Sequence, residues 1–187
     1  MNENTDSDPV SSGEIVSTLS AAEILVQRAR ELAAPISEER EDESGVEVLE
    51  FLLSGEHYAI GMEHIREVAL LKEITYLPGA PPFILGIISL HGSILSIIDL
   101  RTVLGMPPKG LTDFNRIIVL SGDEMTFGVL ADAIVRTRMI HTDQVSRPPP
   151  TISGPGAVYL TGVLPGPLMI IDANVLLSDP AMVVGDE

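Results

Sequence analysis

The residues best able to do chemistry in this chain are a few aspartates. Asp99 and Asp172 each follow an Ile-Ile pair, and two carboxylates brought together can act in general acid–base catalysis. However, each also stands just before a short segment expected to be helical, where a carboxylate can accept backbone amides as a cap. We therefore predict structural roles for Asp99 and Asp172, and a structural hydrogen bond for the third candidate, Asp132.

The remaining candidates for chemistry give no catalytic or metal-binding pattern. His57, His64 and His91 lie on different expected strands or connectors, and their spacing is not that of zinc ligands. The chain has no cysteine, so neither a thiolate ligand nor a cysteine nucleophile is available. There is no serine nucleophile elbow and no phosphate-binding loop. The sequence predicts a protein without catalytic, metal or cofactor sites.

The elements that carry these residues are predicted to be strands. Two apolar runs, Ile84–Leu90 and Ile94–Ile98, flank a turn at His91–Ser93. Their length, their isoleucine content and the bounding turn residues are typical of buried strands. The same order of parts recurs from Tyr159 to Leu177, again with Ile-Ile-Asp at the end of the second strand.

A second pair of segments supports a duplication. Residues 55–61 resemble residues 122–128, and each segment follows an apolar strand candidate and precedes a short apolar and acidic segment. Two such units are too few for a solenoid. They indicate two small β-barrels packed side by side. With 45% hydrophobic but only 4% aromatic residues, the core must consist mostly of aliphatic side chains, which suit strands.

Several motifs carry a family resemblance that extends over residues 47–177. They are Ile65-Arg-Glu-Val68, Leu77-Pro-Gly-Ala-Pro-Pro-Phe-Ile-Leu-Gly86, Ile98-Asp-Leu-Arg101, Gly128-Val-Leu-Ala-Asp132 and Tyr159-Leu-Thr-Gly-Val163. In this order they resemble the chemotaxis coupling proteins, the CheW-like domain. The resemblance implies a mainly β fold: two five-stranded SH3-like barrels with a shared core, short helices and an N-terminal helical extension.

The resemblance also implies a function. Proteins of this family are adaptors that link chemoreceptors to a sensor histidine kinase. The first lobe would bind the regulatory domain of the kinase, and a second surface would bind the cytoplasmic tip of a chemoreceptor. The candidate residues of these surfaces are Ile65, Glu67, Val68, Gly86, Leu90, His91, Gly92 and Arg101, with Glu67 and Arg101 expected at the rim.

One departure from the family pattern bears on receptor binding. The family usually has Asn-Leu-Arg-Gly where this chain has Ser89-Leu90-His91-Gly92. The family's arginine is thought to face an acid, which here would be Glu67, and His91 could keep that ion pair only when protonated. An alternative function is therefore a CheW-like module of a motility or gene-regulatory array with altered receptor binding. A further alternative, an enzyme or ligand carrier, would need a deep polar pocket at Asp132.

The N-terminal part differs from the rest of the chain. Residues 1–45 are predicted to form an acidic extension with one helix at about 20–34, followed by a linker. Residues 46–178 would form the domain of two intertwined lobes, and residues 179–187 a tail. The helix would place Leu25, Ala29 and Leu32 on one face, where they could dock on the barrels or on another protein.

Charge narrows the range of partners and of locations. The formal net charge is −16, of which −10 falls in residues 1–50. Without a basic stripe, neither nucleic acid nor an anionic membrane surface is an expected partner. The first residues are acidic and unlike a secretory signal, and the apolar runs are too interrupted to span a membrane. A cytoplasmic protein, recruited to membrane receptor arrays, is the expectation.

Overall fold

The structure, a computed structural model, describes residues 45–123, 125–148 and 154–182. These residues form ten strands and two short α-helices. In chain order they are β1 (Gly45–Leu53), β2 (Glu56–Gly61), β3 (Ile65–Leu70), β4 (Ile84–Leu90), β5 (Ser93–Ile98), α1 (Leu100–Val103), β6 (Arg116–Ser121), β7 (Thr126–Ala131), β8 (Ala133–His141), β9 (Leu160–Leu164), β10 (Leu168–Ile171) and α2 (Ala173–Ser178). The helix expected at 20–34, with Leu25, Ala29 and Leu32, lies outside the described residues.

The strands form two five-stranded sheets that mix the two halves of the chain. Sheet A has the order β8-β1-β2-β10-β9, and sheet B the order β3-β6-β7-β5-β4. In each sheet the two halves meet at a parallel pair, β2 with β10 and β5 with β7. The predicted fold class, mainly β with two small five-stranded barrels side by side and short helices, is confirmed.

Two hairpins are closed by two-residue turns in the left-handed region. Between β1 and β2, Ser54 and Gly55 have φ angles of 54° and 87°, and between β4 and β5, His91 and Gly92 have φ angles of 50° and 82°. Positive φ at both central positions is what a type I′ turn requires, and this turn matches the twist of the flanking strands. His91 is therefore held at the tip of a tight hairpin.

The sheets bury side chains on both faces. A core shared by the two sheets includes Phe51, Leu53 and Ile60 from sheet A and Ile118 and Leu120 from sheet B. Each sheet also has a smaller cluster of its own. These clusters are Val48, Ala59, Ile140, Leu164, Leu168 and Ile170 in sheet A, and Ile88, Leu95, Ile97, Ile117, Val119 and Leu130 in sheet B. Burial on both faces explains why the strands read as continuous apolar runs.

The strand register shows which residues of the two sheets are equivalent. Ala59 pairs with Ile170, and Gly128 pairs with Ile97. Each isoleucine lies two residues before the aspartate that follows its strand, so Ala59 and Gly128 occupy matching positions. The similarity between residues 55–61 and 122–128 aligned Gly61 with Gly128. The structure aligns Ala59 with Gly128 instead, a difference of two residues. The cause is the number of residues between the strands, because four separate β6 from β7 whereas two separate β1 from β2.

Candidate partner-binding surface

The end strands of sheet B border a groove with a volume of about 380 Å³. Residues of β3 line one side and residues of β4 the other, and the described strands include no ladder that pairs β3 with β4. The residues lining this seam groove are Glu67, Val68, Ala69, Leu70, Lys72, Glu73, Ile88, Ser89, Leu90 and His91. A neighbouring depression shares four of them and extends to Thr75 and Ile94.

An acidic and a basic side chain meet at one end of the seam groove. His91 Nε2 lies 3.0 Å from Glu67 Oε2, with His91 exposed and Glu67 half-buried. The contact joins β3 to the hairpin that follows β4. It is an ion pair when the imidazole is protonated and a hydrogen bond when a neutral ring donates from Nε2.

Exposed apolar side chains surround the groove. Val68 is 42% exposed, Leu70 52% and Ile94 75%. Val68 was among the predicted residues, whereas Leu70 and Ile94 were not. Side chains alternate along β3, so Leu70 is expected on the same face as Val68. The hairpin register places Ile94 opposite Ser89. Leu70 and Ile94 could therefore have been predicted from the strand pattern. Clustered exposed apolar residues of this kind mark interaction surfaces.

The structure brings together most of the residues predicted for partner binding. Glu67, Val68, Leu90 and His91 line the seam groove, and Gly92 shares the turn with His91. Ile65 begins β3 but packs against the core shared by the sheets. Its contribution is therefore to the position of the strand.

Gly86 does not belong to this surface. It is buried in β4 at a shift in the β4–β5 register. A β-carbon on it would collide with the backbone of Thr75, which crosses β4 and bridges to Ile87. With a φ of 149° and no room for a side chain, Gly86 allows the close approach of two backbone segments. The prediction of a partner contact at Gly86 is corrected to this internal role.

Arg101 is not a rim residue either, because it is fully buried. Its Nε lies 2.8 Å from Asp99 Oδ1 and its Nη2 lies 2.9 Å from Asp99 Oδ2. The chain turns into α1 directly after Asp99, which brings the guanidinium back onto that carboxylate. Arg101 Nη1 lies 3.8 Å from Asp132 Oδ1 and has no hydrogen-bond partner among the described residues.

The two aspartates considered for acid–base work lie at the ends of different strands and cap the helices that follow. Asp99 Oδ1 accepts a hydrogen bond of 3.0 Å from the Arg101 amide at the start of α1. Asp172 Oδ1 accepts one of 3.1 Å from the Val175 amide in α2. Each carboxylate satisfies an amide that has no partner within its helix.

Asp132 lies where the chain passes from sheet B to sheet A. Its Oδ2 accepts hydrogen bonds of 2.9 Å from the Ser54 amide and 2.7 Å from Lys109 Nζ, and its Oδ1 accepts one of 3.4 Å from Asn115 Nδ2. Burial acts to raise the pKa of Asp132, but the hydrogen bonds from Lys109 and Ser54 outweigh it and lower the pKa. A general acid would need the opposite shift.

Glu50 is a buried acid, 5% exposed, that was not among the residues predicted from the sequence. Its carboxylate lies 2.8 Å from His57 Nδ1 and 3.0 Å from Arg136 Nε. Burial acts to raise the pKa of Glu50, but these two hydrogen bonds and the nearby charges lower it. The sequence does mark this residue, because Glu50 interrupts the apolar run of β1.

Nowhere in residues 45–123, 125–148 and 154–182 do three or more metal-ligating side chains converge. Within the same ranges, no helix has the length together with the apolar character that crossing a membrane requires.

Two intertwined sheets with an exposed apolar groove define a class of protein-binding β domain, and comparisons with known proteins identify its family. The family model of the CheW-like domain matches residues 47–181. The chemotaxis protein CheW of Bacillus subtilis is 28% identical over 140 residues, which cover 73% of this chain and 90% of that protein. The CheW of Klebsiella aerogenes is 30% identical over 148 residues, with coverages of 76% and 87%.

A solved structure gives the same result. The scaffolding protein TtCheW from Thermoanaerobacter tengcongensis matches with a TM-score of 0.64 and 26% identity, over 73% of this chain and 90% of that one. The chain belongs to the CheW-like domain family of chemotaxis coupling proteins.

Proposed function

We propose that this protein is an adaptor, without catalysis of its own, that couples chemoreceptors to a chemotaxis-type sensor histidine kinase. The seam groove carries the proposal, because it combines exposed apolar side chains with the Glu67–His91 contact at its rim. Family membership supports the same function, as does the description of the related TtCheW as a scaffolding protein.

The seam groove would receive the helical tip of a chemoreceptor. An amphipathic helix binds by placing its apolar face in a hydrophobic groove, and Val68, Leu70 and Ile94 offer such anchors. A few anchors usually supply most of the binding free energy. Glu67 and His91 at the rim would then set specificity and orientation more than affinity.

The kinase would bind elsewhere, on the first lobe, which is the one built around sheet A and contains β1 and β2. The regulatory domain of such a kinase is expected to have a similar barrel architecture, so that the edge of one barrel meets the edge of the other. Separate surfaces for the two partners allow one molecule of the adaptor to hold both. The protein would accordingly act in the cytoplasm, at the receptor arrays.

Calorimetric titration tests the two contacts separately. The intact protein is titrated with the regulatory domain of a chemotaxis-type kinase from the same organism, and then with a fragment carrying the receptor tip. We expect micromolar or tighter binding of each, unchanged when the other is already bound. Absence of binding to both would overturn the proposal. Kinase binding without receptor binding would favour the alternative, a CheW-like module of a non-chemotaxis array, which otherwise stays a prediction from the sequence.

A further inference from the structure

A charged side chain occupies a core position in only one of the two sheets described. Glu50 pairs with Ala59 in sheet A, and Val119 pairs with Gly128 in sheet B. Because Ala59 and Gly128 are equivalent, Glu50 occupies the position that Val119 has in the other sheet. Both side chains are buried, with Glu50 5% exposed and Val119 1% exposed. A buried carboxylate is costly unless basic groups compensate it, so its presence needs an explanation beyond packing.

The compensating groups form a basic cluster at the edge of sheet A. Glu50 lies 2.8 Å from His57 Nδ1, 3.0 Å from Arg136 Nε and 3.7 Å from Arg138 Nη1. One carboxylate thus faces two arginines and a histidine, which leaves a positive excess in a chain of net charge −16. Glu50 is the only described residue that pairs with either arginine, and the Arg136 side chain is 59% exposed.

Both arginines lie on β8, which forms an edge of sheet A. This nine-residue strand pairs with β1 alone among the described strands. From Arg136 onward the side chains alternate, so that Arg136 and Arg138 share one face and the exposed Met139 lies on the other. The register of β8 on β1 shifts just before Arg136 and leaves Val135 without a partner in that ladder. The outer backbone groups of such a strand are a template for an added strand.

The charges decide which strand can be added. A second copy pairing edge to edge would bring four arginines together, and like charges on adjacent strands repel. An acidic strand would instead place carboxylates beside Arg136 and Arg138, whose charge Glu50 only partly neutralises. The cluster therefore disfavours self-association through β8 and favours an acidic partner.

We propose that the β8 edge of sheet A binds an extended acidic segment of a partner protein by strand addition. Its acidic side chains lie beside Arg136 and Arg138, and its apolar side chains contact Met139. Because side chains alternate along a strand, the segment recognised has acidic and apolar residues in alternation. This site is separate from the seam groove of sheet B. It uses only one of the two edge strands of sheet A, so the β9 edge stays available for the kinase contact proposed above.

The test uses the intact protein and two fluorescently labelled peptides. In one peptide glutamates alternate with valines, and in the other lysines replace the glutamates. Fluorescence anisotropy should show binding of the glutamate peptide, roughly tenfold tighter than the lysine peptide and weakened by added salt. Hydrogen exchange should show that the bound peptide protects the amides of β8. Absence of binding, equal binding of both peptides, or protection outside β8 would overturn the proposal.

Variants locate the site. The double variant R136Q/R138Q should bind the glutamate peptide roughly tenfold more weakly, whereas R66Q, which removes an exposed arginine from β3, should bind as the wild type does. Because R136Q/R138Q leaves Glu50 less well compensated, M139D provides a second test on the opposite face of β8. It should also weaken binding, and unchanged affinity in M139D would contradict the proposal even if the arginine variant is unstable.

Discussion

Glu67 and His91 meet across the seam between the end strands of sheet B, with 3.0 Å between Oε2 and Nε2. The pair joins β3 to the hairpin tip after β4, beside the exposed apolar residues of the groove. An imidazole attracts a carboxylate as an ion only when it is protonated. An arginine at the same place would keep its charge throughout.

We therefore predict that a permanent positive charge at position 91 strengthens binding of a receptor tip fragment. His91→Arg should bind the fragment about 1.5- to 5-fold more tightly than His91→Gln, because an exposed ion pair contributes ~0.2–1 kcal/mol. Calorimetry with the two variants measures this difference. Equal affinities would show that charge at position 91 does not contribute to receptor binding.

The apolar residues at the seam should determine affinity for the receptor without determining stability. Val68→Ser and Ile94→Ser should each weaken receptor binding by roughly tenfold, as loss of an anchor worth more than ~1 kcal/mol implies. Their free energies of unfolding should stay within about 0.5 kcal/mol of the wild-type value, because both side chains are exposed.

Val158→Ser is the matched control for these two variants. Val158 is 64% exposed and precedes β9 of sheet A, so its replacement removes a similar apolar area away from the groove. Receptor binding should be unchanged. A loss in Val158→Ser as large as in the seam variants would mean that the groove is not the binding surface.

The two capping aspartates should differ in their effect on stability. Asp172→Ala removes a cap and should cost about 0.5–2 kcal/mol. Asp99→Ala removes a cap and also leaves the Arg101 guanidinium without its carboxylate, in a position where Arg101 is fully buried. Loss of one partner of a buried ion pair costs about 3–5 kcal/mol. Urea denaturation measures both values, and equal losses would contradict the role assigned to the Asp99–Arg101 pair.

Asp132 should contribute to stability in a pH-dependent way. Its pKa is lowered in the folded state, so its contribution is fully present above the pKa of an unfolded aspartate and is lost as pH falls through the folded-state pKa. Asp132→Asn should be about 1–3 kcal/mol less stable than the wild type at neutral pH. The difference should shrink in acid, below about pH 4. Urea denaturation across this range checks it, and a difference independent of pH would contradict the ionised role of Asp132.

The main elements of the fold could be predicted because local sequence determines them. The run Ile84–Leu90 became β4 without a change of bounds, and the His91-Gly92 pair closes the hairpin as its turn chemistry suggests. Asp99 and Asp172 cap helices because they follow strands that end at the same place in each half. Glu67 and His91 were expected to face each other only through the family resemblance, since their contact joins strands far apart in the sheet order.

The site predictions that failed concern residues whose surroundings are formed by parts of the chain distant in sequence. Arg101 is charged and was expected at the surface. It is buried instead, because the helix α1 begins directly after Asp99 and brings the Arg101 side chain back onto the Asp99 carboxylate. Gly86 was expected to contact a partner, yet its role depends on the crossing of Thr75, which no local pattern reveals. Glu50 was overlooked because its partner Arg136 comes from β8, the strand beside β1 but remote in sequence.

The central claim is that the protein bridges receptor and kinase, and co-sedimentation tests it most directly. Membranes that contain the chemoreceptor are mixed with the purified kinase, with and without this protein, and the sedimented kinase is measured. The kinase should sediment with the membranes only when the protein is present, and Val68→Ser should reduce the amount recovered. Equal recovery of kinase with and without the protein would contradict the adaptor function.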